Sequence, residues 1–180
     1  MGITVEVMGD EKLHTIRKSI EKLADSSLRQ ELLESIGAVI ESQTRRRIAG
    51  EKSSPAGKRW QPWSDGYAKT RHGNQSLLQG DGDLLDSIQY FASGELVHVG
   101  TPLPYGRTHQ EGYSGSVKVA SHKRLITQAF GRALKQGVWQ TVGAHQRQID
   151  MPQREFLGLS ADNSNELTRV IGDFWGEVLQ

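Results

Sequence analysis

The sequence predicts an α+β fold with an N-terminal strand and two helices, an antiparallel β-sheet that carries a projecting basic β-hairpin arm, and a C-terminal helix. Near both ends of the 180-residue chain, apolar residues recur at every third or fourth position, which is typical of amphipathic helices. In the middle they alternate with polar residues, which is typical of antiparallel strands. The length suits a single domain covering residues 1–180.

The N-terminal third predicts one strand and two helices. Residues 3–7 alternate apolar with polar side chains and predict a short strand. A helical pattern starts at Asp10, and a second one follows the break at 26–27. The two apolar stripes are Leu13, Ile16, Ile20 and Leu23, then Leu28, Leu32, Leu33, Ile36, Val39, Ile40 and Ile48. We interpret the run 45–47 near the end of the second helix as a solvated last turn that complements the helix dipole, rather than as a nucleic-acid patch.

The central part predicts a loop, a turn and a hairpin. Residues 51–83 are rich in Gly, Ser and Pro, and we expect Trp60 and Trp63 to pin this loop to the body. One helical turn at 82–86 leads into a hairpin of residues 87–92 and 96–100. Its inward side chains are Ile88, Tyr90, Val97 and Val99.

Two further helices are predicted on either side of the arm. A short helix over 105–110 is stopped by Gly112. The last helix is capped by Ser160 or Asp162. Its apolar stripe consists of Leu167, Val170, Ile171, Phe174, Val178 and Leu179.

The segment 113–149 is basic and contains an internal repeat. It holds six of the 22 Lys and Arg residues and no acid, so the rest of the chain has 16 basic and 21 acidic residues. The sequence VASHKR at 119–124 recurs as VGAHQR at 142–147. This predicts a projecting arm of two antiparallel strands in which His122 faces His145, with Arg124 and Arg147 on the same side. The alternative is a helical turn within 125–134.

The residues give no indication of catalysis. The chain has no cysteine, which excludes disulfides and thiolate zinc sites and favours a reducing compartment. Recognised nucleophile and metal-binding motifs are missing, and the His122 and His145 pair has cationic neighbours that would repel a divalent cation. No apolar run is long enough to cross a bilayer. We therefore expect no enzyme activity, cofactor, metal or membrane contact, with an unrecognised hydrolase kept as a remote alternative.

Several motifs, taken in order, resemble a known protein family. They are Pro55-Ala56-Gly57-Lys58-Arg59-Trp60, Gly82-Asp83-Leu84, Tyr105-Gly106-Arg107-Thr108-His109-Gln110-Glu111-Gly112, the duplicated His-x-Arg segment, and Met151-Pro152-Gln153-Arg154-Glu155-Phe156. Together they resemble the phage virion morphogenesis family, also called tail completion proteins, of Mu-like and related tailed phages. The resemblance implies a structural protein of the virion, assembled in the host cytoplasm, that acts where the tail meets the filled head.

The resemblance also implies structural roles for the family-motif residues. We interpret Gly57, Gly82 and Gly112 as turn formers, and Leu84 and Pro152 belong to the same set. Tyr105, His109, Trp60 and Phe156 are interpreted as packing or corner residues, with neighbouring backbone satisfying the His109 ring. We expect Arg154 to bridge to a carboxylate, either inside the subunit or in a neighbouring one.

The implied partners are copies of the chain itself in a ring, with six copies expected, together with the head–tail connector and the tail terminator or tail tube. An acidic body with a basic arm suits the heterologous contacts of a ring. The predicted interface residues are Lys118, His122, Lys123, Arg124, Arg132, Lys135, Trp139, His145 and Arg147. The alternative is a channel protein whose arm makes non-specific contact with packaged DNA.

Overall fold

The computed structural model describes residues 10–73, 75–129 and 132–179, and the predicted strand at 3–7 lies outside this part of the chain. The elements confirm the predicted α+β class. In chain order they are α1 (Asp10–Ala24), α2 (Ser26–Arg46) with a π-helical extension (Arg47–Glu51), α3 (Asp65–Ala68), α4 (Asp83–Asp86), β1 (Gln89–Ser93), β2 (Leu96–Gly100), α5 (Pro104–Glu111), β3 (Tyr113–Val119), β4 (His122–Ala129), β5 (Arg132–Val142), β6 (His145–Met151) and α6 (Ala161–Val178).

The helix α1 is present as predicted, but its described apolar stripe is not buried. Ile16, Ile20 and Leu23 all remain exposed. The helix instead meets the body through its other side, where the Lys22 Nζ donates a hydrogen bond to the Val178 carbonyl. The 3.6-residue period predicts a helix with two faces, and it does not determine which face meets the body.

The helix α2 packs across the hairpin of β1 and β2. Its apolar residues are half-buried, and Gly37 lies against the ring of Tyr90. A Cβ atom at residue 37 would overlap that ring, so helix and hairpin can approach this closely only with glycine at this position. Tyr90 pairs with Val99 across the hairpin, as the inward pattern predicts.

The core lies where α2, the loop, the hairpin and the segment before α6 meet. Its buried apolar residues are Ile48, Trp60, Leu84, Ile88 and Phe156. The helix α6 closes this side, and Ser160 is its N-cap. The Ser160 side chain accepts from the Asn163 N–H at 3.1 Å, and the Asn163 side chain accepts from the Ser160 N–H at 3.2 Å. The predicted cap at Ser160 is confirmed.

The described residues of the segment 113–151, which we call the arm, form two successive antiparallel strand pairs. Strand β3 pairs with β6, and β4 pairs with β5, both antiparallel. The ladder breaks at 120–121 and 143–144, between the two strand pairs. The described residues of 125–134 belong to strands, so the alternative of a helical turn there is wrong.

The predicted register of the arm is wrong by three residues. His122 is opposite Val142 and His145 is opposite Val119, so the two histidines do not face each other. The innermost described pair is Ala129 with Arg132, and a register shift between Ile126 and Gln128 separates it from the outer pairs. Arg124 and Arg147 lie in different strand pairs, on either side of the break.

Candidate functional site

The loop and the segment before α6 are joined to the body by buried polar side chains. Arg47 is 1% exposed and donates hydrogen bonds to the carbonyls of Phe156 at 2.9 Å and Gly158 at 2.7 Å, and to the Asn163 side chain. The interpretation of this arginine as part of a solvated last turn is therefore wrong. The π-helical extension continues α2 beyond Arg46, and it places the Arg47 guanidinium against Asn163 in the first turn of α6.

The other two arginines of the run have different environments. Arg45 is half-buried and donates to the Ile88 carbonyl at 2.8 Å. Arg46 is 53% exposed and pairs with Glu166 at 2.7 Å. Hydrogen bonds from Gln43 and Arg46 lower the pKa of the Glu166 carboxyl. Only Arg46 therefore resembles the solvated cation that the sequence predicts.

Trp60 and Phe156 are packing residues, as predicted. The indole N–H of Trp60 donates to the Glu155 carbonyl at 3.1 Å, which fixes the loop to the segment before α6. Gln110 of α5 holds the same segment, because its Oε1 accepts from the backbone N–H groups of Phe156 and Leu157, both at 3.0 Å. Loop, α5 and the approach to α6 are thus tied into one unit.

Arg154 does not bridge to a carboxylate within the chain. Its Nε donates to the Gln61 carbonyl at 3.0 Å and its Nη2 to the Pro62 carbonyl at 3.3 Å. The salt bridges among the described residues do not include Arg154. Its role in the subunit is to hold the loop at 61–62 against the base of the arm, and the expected internal ion pair is wrong.

The His109 ring is not satisfied by neighbouring backbone. Its Nδ1 is buried without a hydrogen-bond partner among the described residues, so that prediction is wrong. The ring meets Tyr105 edge to face, with the centroids 6.0 Å apart, and Tyr105 remains partly exposed. Burial lowers the pKa of His109, and the nearby Arg154 guanidinium lowers it further.

The predicted turn glycines have left-handed backbone angles. Gly57, Gly82 and Gly112 have φ of 79°, 109° and 77°, a region that side chains rarely adopt. At Gly112 a Cβ atom would also lie 3.0 Å from the Gln153 nitrogen, so glycine lets α5 end directly against the segment before α6. These three predictions are confirmed.

An open cleft of about 1180 Å³ separates the loop, α5 and the base of the arm. Trp63, Tyr67 and Tyr105 line it, and Arg71 lies over the Tyr67 ring at 4.5 Å. Pro152, Arg147, Asp150 and Arg154 line the side of the arm. Among the described residues, no three His, Asp or Glu side chains are grouped as metal ligands would be.

The described side chains of the arm are exposed or half-buried. Among them, Trp139 is 67% exposed. Arg124 donates to Gln140 across the ribbon at 2.9 and 2.8 Å. The other predicted interface cations form no salt bridge with described residues, and they are Lys118, Lys123, Arg132, Lys135 and Arg147.

The repeated sequence corresponds to the two halves of the break in the arm. In each copy a valine ends one strand, two residues leave the ladder, and a histidine begins the next strand. The Nδ1 of His122 lies 3.1 Å from the Ala120 carbonyl, and that of His145 lies 3.0 Å from the Gly143 carbonyl. The two halves therefore have the same local geometry, and the valine of each copy is opposite the histidine of the other.

A family model described as the phage virion morphogenesis family matches residues 10–174, from the start of α1 almost to the end of α6. The chain belongs to the phage virion morphogenesis family. As a virion morphogenesis protein it has a role in phage virion assembly. Neither curated protein sequences nor solved structures give a significant match to it. Within the described residues, no helix combines the length and apolar character needed to span a membrane.

Sequence reasoning missed the polar residues that organise this virion morphogenesis protein. Gln43 of α2 and Arg47 of its π-helical extension are four residues apart, between Ile40 and Ile48 of the apolar stripe, and both are buried. That helical spacing was the available signal, since it places them on the buried face. Gln110 lay inside a family motif but was not distinguished from its neighbours.

Proposed function

We propose that this virion morphogenesis protein completes the tail and joins it to the filled head, as a ring of identical subunits at the neck or tail terminus. Six copies are proposed for the ring. Its neighbours are the head–tail connector on one side and the tail terminator or tail tube on the other. The role is structural, and the arm at 113–151 provides the contact between subunits or with these neighbours.

The observation that carries this proposal is that the described side chains of the arm are not buried by the rest of the subunit. A two-stranded hairpin is at best marginally stable in water when nothing packs against it. Here the arm buries none of its described side chains and exposes Trp139, Val138 and Leu125. Exposed aromatic side chains of this kind are typical anchors of protein interfaces. An ordered arm is therefore best explained by a partner surface that covers it.

Charge supports a contact with a different surface rather than between two arms. The arm has no acid before Asp150, so two arms would repel each other. The chain outside residues 113–149 has a net charge of −5, from 16 basic and 21 acidic residues, and attracts the arm. A basic patch that meets an acidic patch elsewhere on the next copy is a heterologous contact, which closes into a ring or continues as a filament.

Deletion of the arm tests the proposal. In a phage that lacks the gene, we expect the chain without residues 116–146, bridged by a short Gly-Ser linker, to leave filled heads and tails unjoined. Electron microscopy of the lysate counts joined and separate particles. The isolated variant keeps Trp60 buried if the body folds, and its fluorescence reports this. Normal numbers of joined particles would contradict the proposal.

A second function, contact of the arm with packaged DNA, is favoured by the unpaired cations of the arm. DNA binding by this route is steeply salt-dependent and disappears in the Lys123→Ala, Arg124→Ala, Arg147→Ala variant. The matched control replaces three exposed cations outside the arm, Lys18, Lys58 and Lys69. Equal loss of binding in both variants would show non-specific attraction and would exclude the arm as a DNA site.

A further inference from the structure

The outward face of α6 is acidic. The helix contains four acidic residues, Asp162, Glu166, Asp173 and Glu177, and one basic residue, Arg169. Their spacing of four, seven and four residues places all four acids on one face of the helix, and Arg169 lies at the edge of the same face. Asp162, Asp173 and Glu177 are exposed and form no salt bridge with described residues, whereas Glu166 is held by Arg46.

A shallow groove runs beside this face, between α6 and the end of α2. Four acids line it, Glu51, Asp162, Glu166 and Asp173, together with two arginines, Arg46 and Arg169, and the half-buried Val170. The groove thus has an excess of acids over arginines and one apolar side chain, Val170. Within the described residues, no hydrogen bond or salt bridge joins α6 to the arm of the same chain.

The distal half of the arm, strands β4 and β5, has the complementary character. Lys123 shares a face of the ribbon with Leu125, which is opposite Trp139, whereas Arg124 lies on the other face with Gln140. This half therefore presents one cation, Lys123, next to an exposed indole, and aromatic residues are enriched at interface hot spots. The apolar side chains can pack against Val170 while Lys123 meets the acids of the groove.

The dimensions allow this contact between copies. At about 3.3 Å per residue, one side of the arm from 113 to 129 spans roughly 55 Å. At 1.5 Å per residue the 18-residue α6 is about 27 Å long. The arm is long enough to leave its own body and cross the whole helix of a neighbour.

We propose that the distal half of the arm of one copy lies along the acidic face of α6 of the next copy. The inference rests on the proposed role of the arm in joining subunits, and it names the surface that receives the arm. A second copy is the occupant because the acidic face and the basic arm belong to the same chain and are not joined within it. The acidic face of α6 would repel DNA. DNA could therefore compete with α6 for binding to the arm, but it would not bind to α6 itself.

Cross-linking between two introduced cysteines, which add no charge, tests the contact. The chain has no cysteine, so Thr141→Cys and Gly176→Cys in one chain introduce the only two thiols. Thr141 is exposed opposite Lys123, and a Cβ atom at residue 176 meets nothing within 4 Å. With a short bis-maleimide on assembled particles, we expect a ladder of covalent multimers. The control pair, Thr141→Cys with Ala38→Cys on the exposed side of α2, gives no ladder. Joined particles in which the first pair yields only monomer would overturn the inference.

Charge reversal separates this inference from the proposed function. Lys123→Glu with Arg124→Glu, or Asp173→Lys with Glu177→Lys, places like charges together, and each should lower the yield of joined particles at least about tenfold. The chain with all four substitutions restores the yield. A matched control reverses two exposed acids of α2, Glu31→Lys with Glu34→Lys, and joins normally.

The outcomes have distinct meanings. If the arm reversal stops joining while the α6 reversal does not, the arm still acts as proposed and α6 is the wrong surface. If the arm reversal stops joining and the four substitutions together fail to restore it, while DNA binding is lost, the arm acts on DNA instead. If neither reversal affects joining, the proposed function of the arm fails as well.

Discussion

Replacing Arg47 with methionine tests whether the buried guanidinium holds the loop and α6 together. Methionine keeps the apolar part of the side chain but leaves the Phe156 and Gly158 carbonyls and the Asn163 side chain without their donor. Each hydrogen bond from a charged donor contributes about 1.5 to 3 kcal/mol, and removing the buried charge also removes its desolvation cost. We therefore expect the free energy of unfolding to fall by about 3 to 5 kcal/mol.

Arg46→Met is the matched control, because it removes the neighbouring arginine from a solvated environment. Its salt bridge to Glu166 joins side chains that are 53% and 35% exposed, and Gln43 still binds that carboxylate at 2.9 Å. Exposed pairs of this kind contribute about 0 to 1 kcal/mol. Urea unfolding followed by tryptophan fluorescence measures the free energy of unfolding of both variants. The values can be compared when the dependence of this free energy on urea concentration has the same slope in both. Equal losses in the two variants, or a loss below about 1 kcal/mol for Arg47→Met, would refute the reasoning.

Two further predictions concern packing and pH. Gly37→Ala should lower the free energy of unfolding by about 1 to 3 kcal/mol, because the new methyl group overlaps the Tyr90 ring. Gly176→Ala, in open space on α6, should raise it by about 0.5 to 1 kcal/mol, and a gain in both variants would contradict the close packing. Because burial and Arg154 hold the pKa of His109 below its ordinary value of 6.5, the unfolded state takes up this proton first as the pH falls. Urea unfolding at a series of pH values should show stability decreasing from pH 7 to about pH 5, and His109→Gln should flatten this slope; an unchanged profile would exclude the histidine as its source.

The helices and the first hairpin could be predicted because their signals are local. The inward residues of β1 and β2 alternate, and Ser160 stands three residues before its capping partner Asn163. The alternating period and the capping pair both lie within a few neighbouring positions. For α1, however, the same kind of signal predicted only the helix, since the position of its apolar face depends on surfaces distant in the sequence.

The buried polar contacts could not be predicted because each depends on a partner far along the chain. Arg47 meets Asn163 across 116 positions, and Arg154 meets the Gln61 carbonyl across 93. A run of three arginines at a helix end is more often solvated, so the sequence alone favoured the wrong environment. Only the four-residue spacing of Gln43 and Arg47, in line with the apolar stripe, indicated otherwise.

The repeat in the arm has a backbone explanation that the sequence could not supply. Its equal spacing suggested two like strands with their histidines opposite, but the strands pair three residues out of that register, and the register shifts by three more between Ile126 and Gln128. Each histidine therefore pairs with a valine of the other copy, about 10 Å along the ribbon from the second histidine. Each histidine ring also contacts the carbonyl two positions earlier in its own strand connection: His122 contacts Ala120, and His145 contacts Gly143. The recurring histidines thus mark the two strand starts at a symmetric break, and the repeat needs no shared ligand. Function is then best sought in the cations and the indole beyond the break, where the arm has no partner of its own.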